Sequence, residues 1–249
     1  SRGKDLCRRP MMSHLKDQVA IVTGGSSGIG LAIAAALVAE GMAVVIAARD
    51  KKKLQWAAKQ LGSSGGKMIA VPMDVSVAGQ VKAMVKQAVE AYGRVDLLVN
   101  NAGIGQWGAI TECSETEWDR VQAINLKGAF LCTKAVLPMM QQQRSGYIVN
   151  IASLSGKIGM GGASAYCASK FGLVGLTESL LEEAIKYDIR ATAICPGYVA
   201  TPMVDSASVS PNEMIPPEDI GKLVVGLLHL SPFTVIKEIV VHRKGAIGT

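Results

Sequence analysis

The sequence predicts an α/β fold in which seven parallel strands form a doubly wound sheet with helices on both faces. Three observations carry this. Strand-like and helix-like segments alternate without a break, as parallel strands joined by helical crossovers require. Apolar residues make up 49% of the 249 positions and charged residues only 18%, a balance suited to strands buried on both faces. Each polar, glycine-rich motif stands just after a strand-like run, and ligands of such folds bind at the carboxyl ends of the strands.

The elements follow in order. Val19 to Val22 is a short apolar strand, TGGSSGIG a glycine turn, and Ile29 to Glu40 a helix stopped by Gly41. Val44 to Ala47 is the second strand, Asp50 to Leu61 an amphipathic helix, Met68 to Val71 the third strand and Val77 to Tyr92 the third helix. Val95 to Val99, Ile148 to Ile151 and Ala191 to Ile194 supply three further strands, with helical patterns over Thr116 to Met140 and Ala163 to Tyr187 between them. Val235 to Val241 closes the sheet as the seventh strand. No repeat, low-complexity linker or charge block marks a second unit, so residues 13–249 are expected to form a single Rossmann-type domain. Residues 1–12 read as a flexible tail or an expression remnant, although an Arg-rich, acid-poor start is also the pattern of a transit-peptide fragment.

Charge and cysteine usage exclude several classes. The net charge is +6, but Arg2, Lys4, Arg8 and Arg9 against Asp5 place half of that excess in the tail. Aromatics are 4% and no basic stripe is interleaved with stacking residues, so no nucleic-acid partner is expected. The long apolar stretch from Leu31 to Ala48 is broken by Glu40 and Gly41 and reads as helix then strand, not as a membrane span. Cysteines 7, 113, 132, 167 and 195 show no ligand-like spacing, which predicts reduced thiols in a cytoplasmic protein and no metal site.

Two motifs carry chemistry. After the first strand, Gly24, Gly28 and Gly30 surround Ser26 and Ser27, letting backbone amides and a helix amino end approach a diphosphate. The run lacks the GK[ST] ending of a triphosphate loop, which favours a dinucleotide over ATP. Gly103, Gly105 and Gly108 match a dinucleotide fingerprint more literally, but no apolar helix opens there. Gly24, Ser26 and Gly28 also fit the nucleophile elbow of a serine hydrolase, whose histidine would have to be His229 or His242. In YCASK, Tyr166 and Lys170 lie four residues apart, on one helix face about 6 Å apart along the axis. A phenol that exchanges a proton near neutrality needs its pKa lowered by about three units, and Lys170 is placed to supply the cation.

Taken together, TGGSSGIG, NNAG at Asn100 to Gly103, Asn125, Ser153, YCASK and Pro196-Gly197 resemble the short-chain dehydrogenase/reductase family, in order and spacing, from about residue 15 to residue 202. The resemblance implies a nicotinamide-dependent oxidoreductase interconverting a carbonyl and an alcohol. It implies that Tyr166 is the general acid, that Ser153 hydrogen-bonds the substrate oxygen, that Lys170 holds the nicotinamide ribose and lowers the Tyr166 pKa, and that Asn125 completes a proton relay. It further implies that Gly24, Ser26, Ser27, Gly28, Ile29 and Gly30 surround the diphosphate, that Asp74 and Val75 meet the adenine, and that Asn101, Ala102 and Gly103 line the adenosine side. Pro196, Gly197, Val199 and Thr201 would meet the nicotinamide. Homo-oligomers, dimers or tetramers, would form through the helices bearing Asn125 and Tyr166.

The end of the second strand sets cofactor choice, because family members that prefer NAD(H) carry an acid there. This chain has Ala48 followed by Arg49, and a guanidinium can pair with a 2′-phosphate, so NADP(H) is expected over NAD(H). By the same resemblance substrate contacts fall to Gln106, Trp107, Leu154, Met160, Tyr198 and Met203, an apolar set that implies a hydrophobic small-molecule carbonyl or alcohol. The alternative within the family is a 3-oxoacyl-acyl-carrier-protein reductase. Outside it stand the serine hydrolase and a dinucleotide sensor without catalysis, which would have no reason to keep Ser153, Tyr166 and Lys170 together.

Overall fold

Seven parallel strands, ordered β3-β2-β1-β4-β5-β6-β7, make up the sheet of the computed structural model. It describes residues 15–63, 65–204 and 209–247, so the basic segment 1–12 lies outside the described residues. The strands are β1 (Val19–Thr23), β2 (Ala43–Ala48), β3 (Met68–Pro72), β4 (Leu97–Asn100), β5 (Gly146–Ile151), β6 (Ile189–Pro196) and β7 (Glu238–Val241). The order reverses between β1 and β4, which opens a crevice at the carboxyl ends of the central strands.

Side chains of alternate parity feed two cores. Ala20, Val22, Val44, Ile46, Leu97 and Val99 face α1 (Gly28–Ala39), α2 (Lys51–Gly62) and α7 (Pro217–His229). Ile21, Val45, Leu98 and Ile148 face the opposite layer, which includes α3 (Ala78–Tyr92), α5 (Gly128–Gln143) and α6 (Ser164–Ala184). Because both faces are covered, the central strands read as continuous apolar runs. Strand ends shift by a few residues from expectation, most at β7, which begins at Glu238 and not at Val235.

One difference matters for the site. The helical run expected over Thr116 to Met140 is α4 (Glu115–Gln122), a π turn over Ala123–Lys127, and α5. The inserted turn holds buried Asn125. Single π turns widen the helical ladder locally and recur at functional sites.

Candidate active site

A cavity of about 740 Å³ occupies the crevice, walled by the glycine turn, the ends of β2, β4, β5 and β6, and the first turns of α6. At its outer end Gly24 adopts φ +66° and donates its N–H to the Ala47 carbonyl at 2.7 Å, turning the chain sharply into α1, which starts at Gly28. Ser26, Ser27, Gly28 and Ile29 line the cavity; Gly30 does not. A Cβ at Gly30 would strike the Gly24 carbonyl and the Asn101 side chain, so its function is to let α1 pack against the turn. Asn101 in turn donates to the Thr23 carbonyl at 2.9 Å, and the Thr23 hydroxyl accepts from the backbone of Asn101 and Ala102 at 3.0 and 3.1 Å. The Asn101 side chain thus braces the glycine turn, while Ala102 and Gly103 present backbone to the cavity.

Arg49 and Asp74 meet across the same end, their charged groups 4.0 Å apart. Arg49 remains 51% exposed, which leaves its guanidinium free to reach an anion. Asp74 does not cap α3, whose N-cap is Val77; its carboxylate accepts from the backbone and hydroxyl of Ser76 at 2.8 and 2.7 Å. Burial pushes the Asp74 carboxyl up, but the Ser76 hydrogen bonds and the charges of Arg49 and Arg120 together hold it below the usual range. Lys53 also lines this end, a cation the motifs did not single out. Its neighbour Asp50 is spent as the cap of α2, accepting from the amides of Lys52 and Lys53 at 3.0 Å each, so its carboxylate is tied to the helix end beside Lys53. The sequence signal was available, since a cap at Asp50 puts residue 53 in the first turn.

At the inner end Ser153, Tyr166 and Lys170 converge. Ser153 begins a short 3-10 turn, where its hydroxyl accepts from the Ser155 amide at 3.1 Å, and it is hydrogen-bonded to the Tyr166 phenol. Tyr166 is 7% and Lys170 5% exposed. The lysine ammonium donates to the Ile151 carbonyl at 2.8 Å and sits 5.6 Å from the Tyr166 ring centre. Asn125 stands behind them and does not line the cavity: its side chain clamps both backbone groups of Ile104, at 2.8 and 2.9 Å, and donates to Ser169 at 3.1 Å. Ser169 in turn donates a hydrogen bond to the Tyr166 carbonyl at 2.7 Å, which binds the π turn to the catalytic stretch of α6.

The electrostatics differ from the expectation of a lowered tyrosine. Burial pushes the Tyr166 phenol up, and the Ser153 hydrogen bond only partly offsets it. Burial also brings Lys170 down to about 8. Removing both groups from water disfavours both charged forms, and the ammonium is turned toward the Ile151 carbonyl. The pair therefore holds a neutral phenol beside a lysine that titrates just above neutrality.

Val199, Thr201, Pro196 and Gly197 line the remaining wall, with Val75 near the Asp74 end. Of the six expected substrate residues only Met203 lines the cavity. Trp107 lies against the Tyr166 ring, with centroids 5.4 Å apart. Gln106 is buried beside it, and Met160 is 41% exposed. Leu154 packs under Gly197, and the carbonyl of Tyr198 accepts from the Ile215 amide at 2.9 Å. Both Leu154 and Tyr198 lie outside the cavity wall, because the turns that carry them fold back on β6 and on the segment before α7. Ile104, Ile151 and Val204 line it instead. Among the described residues no histidine, neither His229 nor His242, lines the cavity with Ser26; His229 pairs with Glu40 at 3.2 Å, at the far end of α1, roughly 18 Å from the glycine turn. The second glycine fingerprint, Gly103 to Gly108, is irregular chain with no helix before Glu115.

The chain matches the family model described as short chain dehydrogenase over residues 18–211. A 3-oxoacyl-acyl-carrier-protein reductase of Synechocystis sp. is 38% identical over 201 residues, 80% of this chain and 81% of the relative. Among solved structures, a levodione reductase superposes with a TM-score of 0.87 at 32% identity, over 94% of this chain and 99% of that one. A metagenomic short-chain oxidoreductase in complex with NADP gives 0.82 at 36% identity, over 92% and 98% of the two chains. Fold, site and likeness define an NAD(P)-dependent oxidoreductase. The chain belongs to the short chain dehydrogenase family.

Proposed function

We propose that the protein is an NADP(H)-dependent reductase of hydrophobic ketones and aldehydes, working reversibly on the corresponding alcohols. One observation carries the reading: a single cavity has a backbone cradle with Arg49 at one end and Ser153, Tyr166 and Lys170 at the other. The cavity fits a dinucleotide, because a Cβ at Gly24 would close the cradle against Ala102. When bound, the nicotinamide supplies the hydride. Ser153 and Tyr166 would both hydrogen-bond the carbonyl oxygen, and Tyr166 would hand it a proton; the raised pKa keeps that phenol loaded at neutral pH. Lys170 would hold the ribose hydroxyls and return a proton toward Tyr166. Asn125, fixed in the π turn, would keep Ile104 and Ser169 in place around them.

The preference for the phosphorylated cofactor rests on Arg49 and on Ala48, which puts no carboxylate where a 2′-phosphate would sit. A relative solved with NADP agrees with that choice. Reduced, free cysteines at 113, 132, 167 and 195 suit a cytoplasmic protein, and no helix among the described residues is long and apolar enough to cross a membrane. Phe130 on α5 and Phe171 on α6 are 44% and 46% exposed, which supports a homo-oligomer joined through these helices.

The test is a panel of ketones incubated with NADPH or NADH, following cofactor absorbance and product. NADPH consumption matched by alcohol formation across several apolar ketones is expected; activity on one small polar substrate alone would contradict the reading. The Synechocystis relative favours a second reading, reduction of carrier-bound 3-oxoacyl chains. Faster turnover of carrier-bound than of free substrates would establish that one instead.

A further inference from the structure

The connection from β4 to α4 carries a large apolar side chain that the proposed reaction leaves unexplained. Trp107 is 51% exposed, yet it is not loose. Its backbone is pinned on both sides: Ile104 is held by Asn125, and the Gly108 amide donates to the Gly162 carbonyl at 2.9 Å, tying the loop to the segment before α6. One side of the indole leans on the Tyr166 ring at 5.4 Å and 50°. Beneath it lies Gly105, where a Cβ would come within 2.8 Å of the indole carbon Cζ2. The seat is therefore made by leaving a side chain out. What remains is a fixed aromatic surface, half open to solvent, touching the residue that gives up the proton.

Among the described residues, the charged side chains on these two loops already have partners. Glu112 on the same loop accepts from the Ala109 amide at 3.2 Å, and Lys157 on the facing loop pairs with Glu238 at 2.9 Å. The same two loops expose Ile110, Ile158 and Met160. An anionic substrate would find apolar surface here in place of a partner, whereas a flat uncharged group would stack on the indole.

Resting on the proposed carbonyl chemistry, we propose that Trp107 is the specificity-determining wall of the substrate site, selecting uncharged carbonyl compounds whose C=O is joined to an aromatic or flat cyclic group over open-chain ones. A ring stacked on the indole puts its attached carbonyl beside the Tyr166 hydroxyl. An alkyl chain has no face to stack.

The full chain is assayed with NADPH on acetophenone and on an open-chain methyl ketone of equal carbon number, as wild type, Trp107→Ala and Trp107→Phe. In Trp107→Ala, kcat/KM for acetophenone should fall about five-fold or more, chiefly through KM, with the open-chain ketone changed less than about two-fold, and Trp107→Phe should recover most of the loss. Equal losses on both ketones would mean that the indole merely props Tyr166, and no loss on either would mean that it touches no substrate; each result overturns the proposal. Acetophenone quenching of tryptophan fluorescence separates this from the reductase reading. If neither ketone is reduced, the reductase reading fails, while saturable quenching that Trp107→Phe abolishes supports the aromatic wall and quenching indifferent to that change overturns it.

Discussion

The two ends of the cavity are built by opposite means. Around β1 and β2 the wall is backbone: Gly24 turns, Gly30 admits the helix, and Thr23 and Asn101 spend their side chains on bracing the loop. Around β5 and α6 the wall is side chain: Tyr166 and Lys170 are brought out of water and held by partners on other elements, beside half-buried Ser153. The first end is sensitive to atoms added to its cradle and draws its charge from Arg49, Lys53 and Asp74. The second keeps an ammonium in the interior, at an expense to stability of about 3 kcal/mol if a lysine that titrates near 8 is compared with one in water.

Lys170→Met is the change that separates the two ends most sharply. Turnover should fall by about 10² to 10⁴, yet the melting temperature of the cofactor-free protein should not drop, because a buried charge is replaced by an apolar chain of similar length. Lost activity with a markedly lower melting temperature would show that the ammonium is stabilising. The sign with pH follows from the lowered value. The unfolded chain holds a proton on Lys170 up to about 10.5 and the folded one only to about 8, so the penalty is fully present below pH 8 and relieved as pH rises between these limits. Stability of the wild type should therefore gain on that of Lys170→Met across this window. Carbonyl reduction should decline as pH rises through about 8, where the charge is lost.

At the backbone end, Gly30→Ala should weaken NADPH and NADH alike by about 10- to 100-fold, since the added methyl group meets the Gly24 carbonyl whichever cofactor is offered. A titration showing selective loss of one cofactor would place Gly30 in the wrong role. Smallest is Arg49→Ala, expected to weaken NADPH about ten-fold and leave NADH nearly unchanged. Equal weakening of both would remove the basis for the NADP(H) preference.

The backbone end was the more legible in the sequence. Glycine spacing after an apolar strand states a turn, and the alternation of apolar and polar runs states the sheet, so both appear where the pattern puts them. At the other end the residue types were visible but their environment was not. Apolar periodicity runs through 116–140 without a mark at Asn125, because a π turn adds one residue to the ladder without changing composition. The lowered tyrosine pKa expected from a neighbouring lysine gave way to desolvation, which depends on how completely the two groups are covered. Lys53 takes its place from the first turn of a helix, which a cap at Asp50 marks in the sequence, whereas the seat of Trp107 depends on a missing Cβ at Gly105, a relation that spacing along the chain does not express.

Conversion of Tyr166 to Phe, measured as single-turnover reduction with saturating NADPH beside a direct NADPH titration, tests the central assignment. The ring, its contact with Trp107 and the cavity wall remain, and only the transferable proton goes. Turnover should fall by about 10² to 10⁴ while NADPH affinity stays close to that of the wild type. Retention of more than about a tenth of wild-type turnover would contradict a role for the Tyr166 phenol as the proton donor.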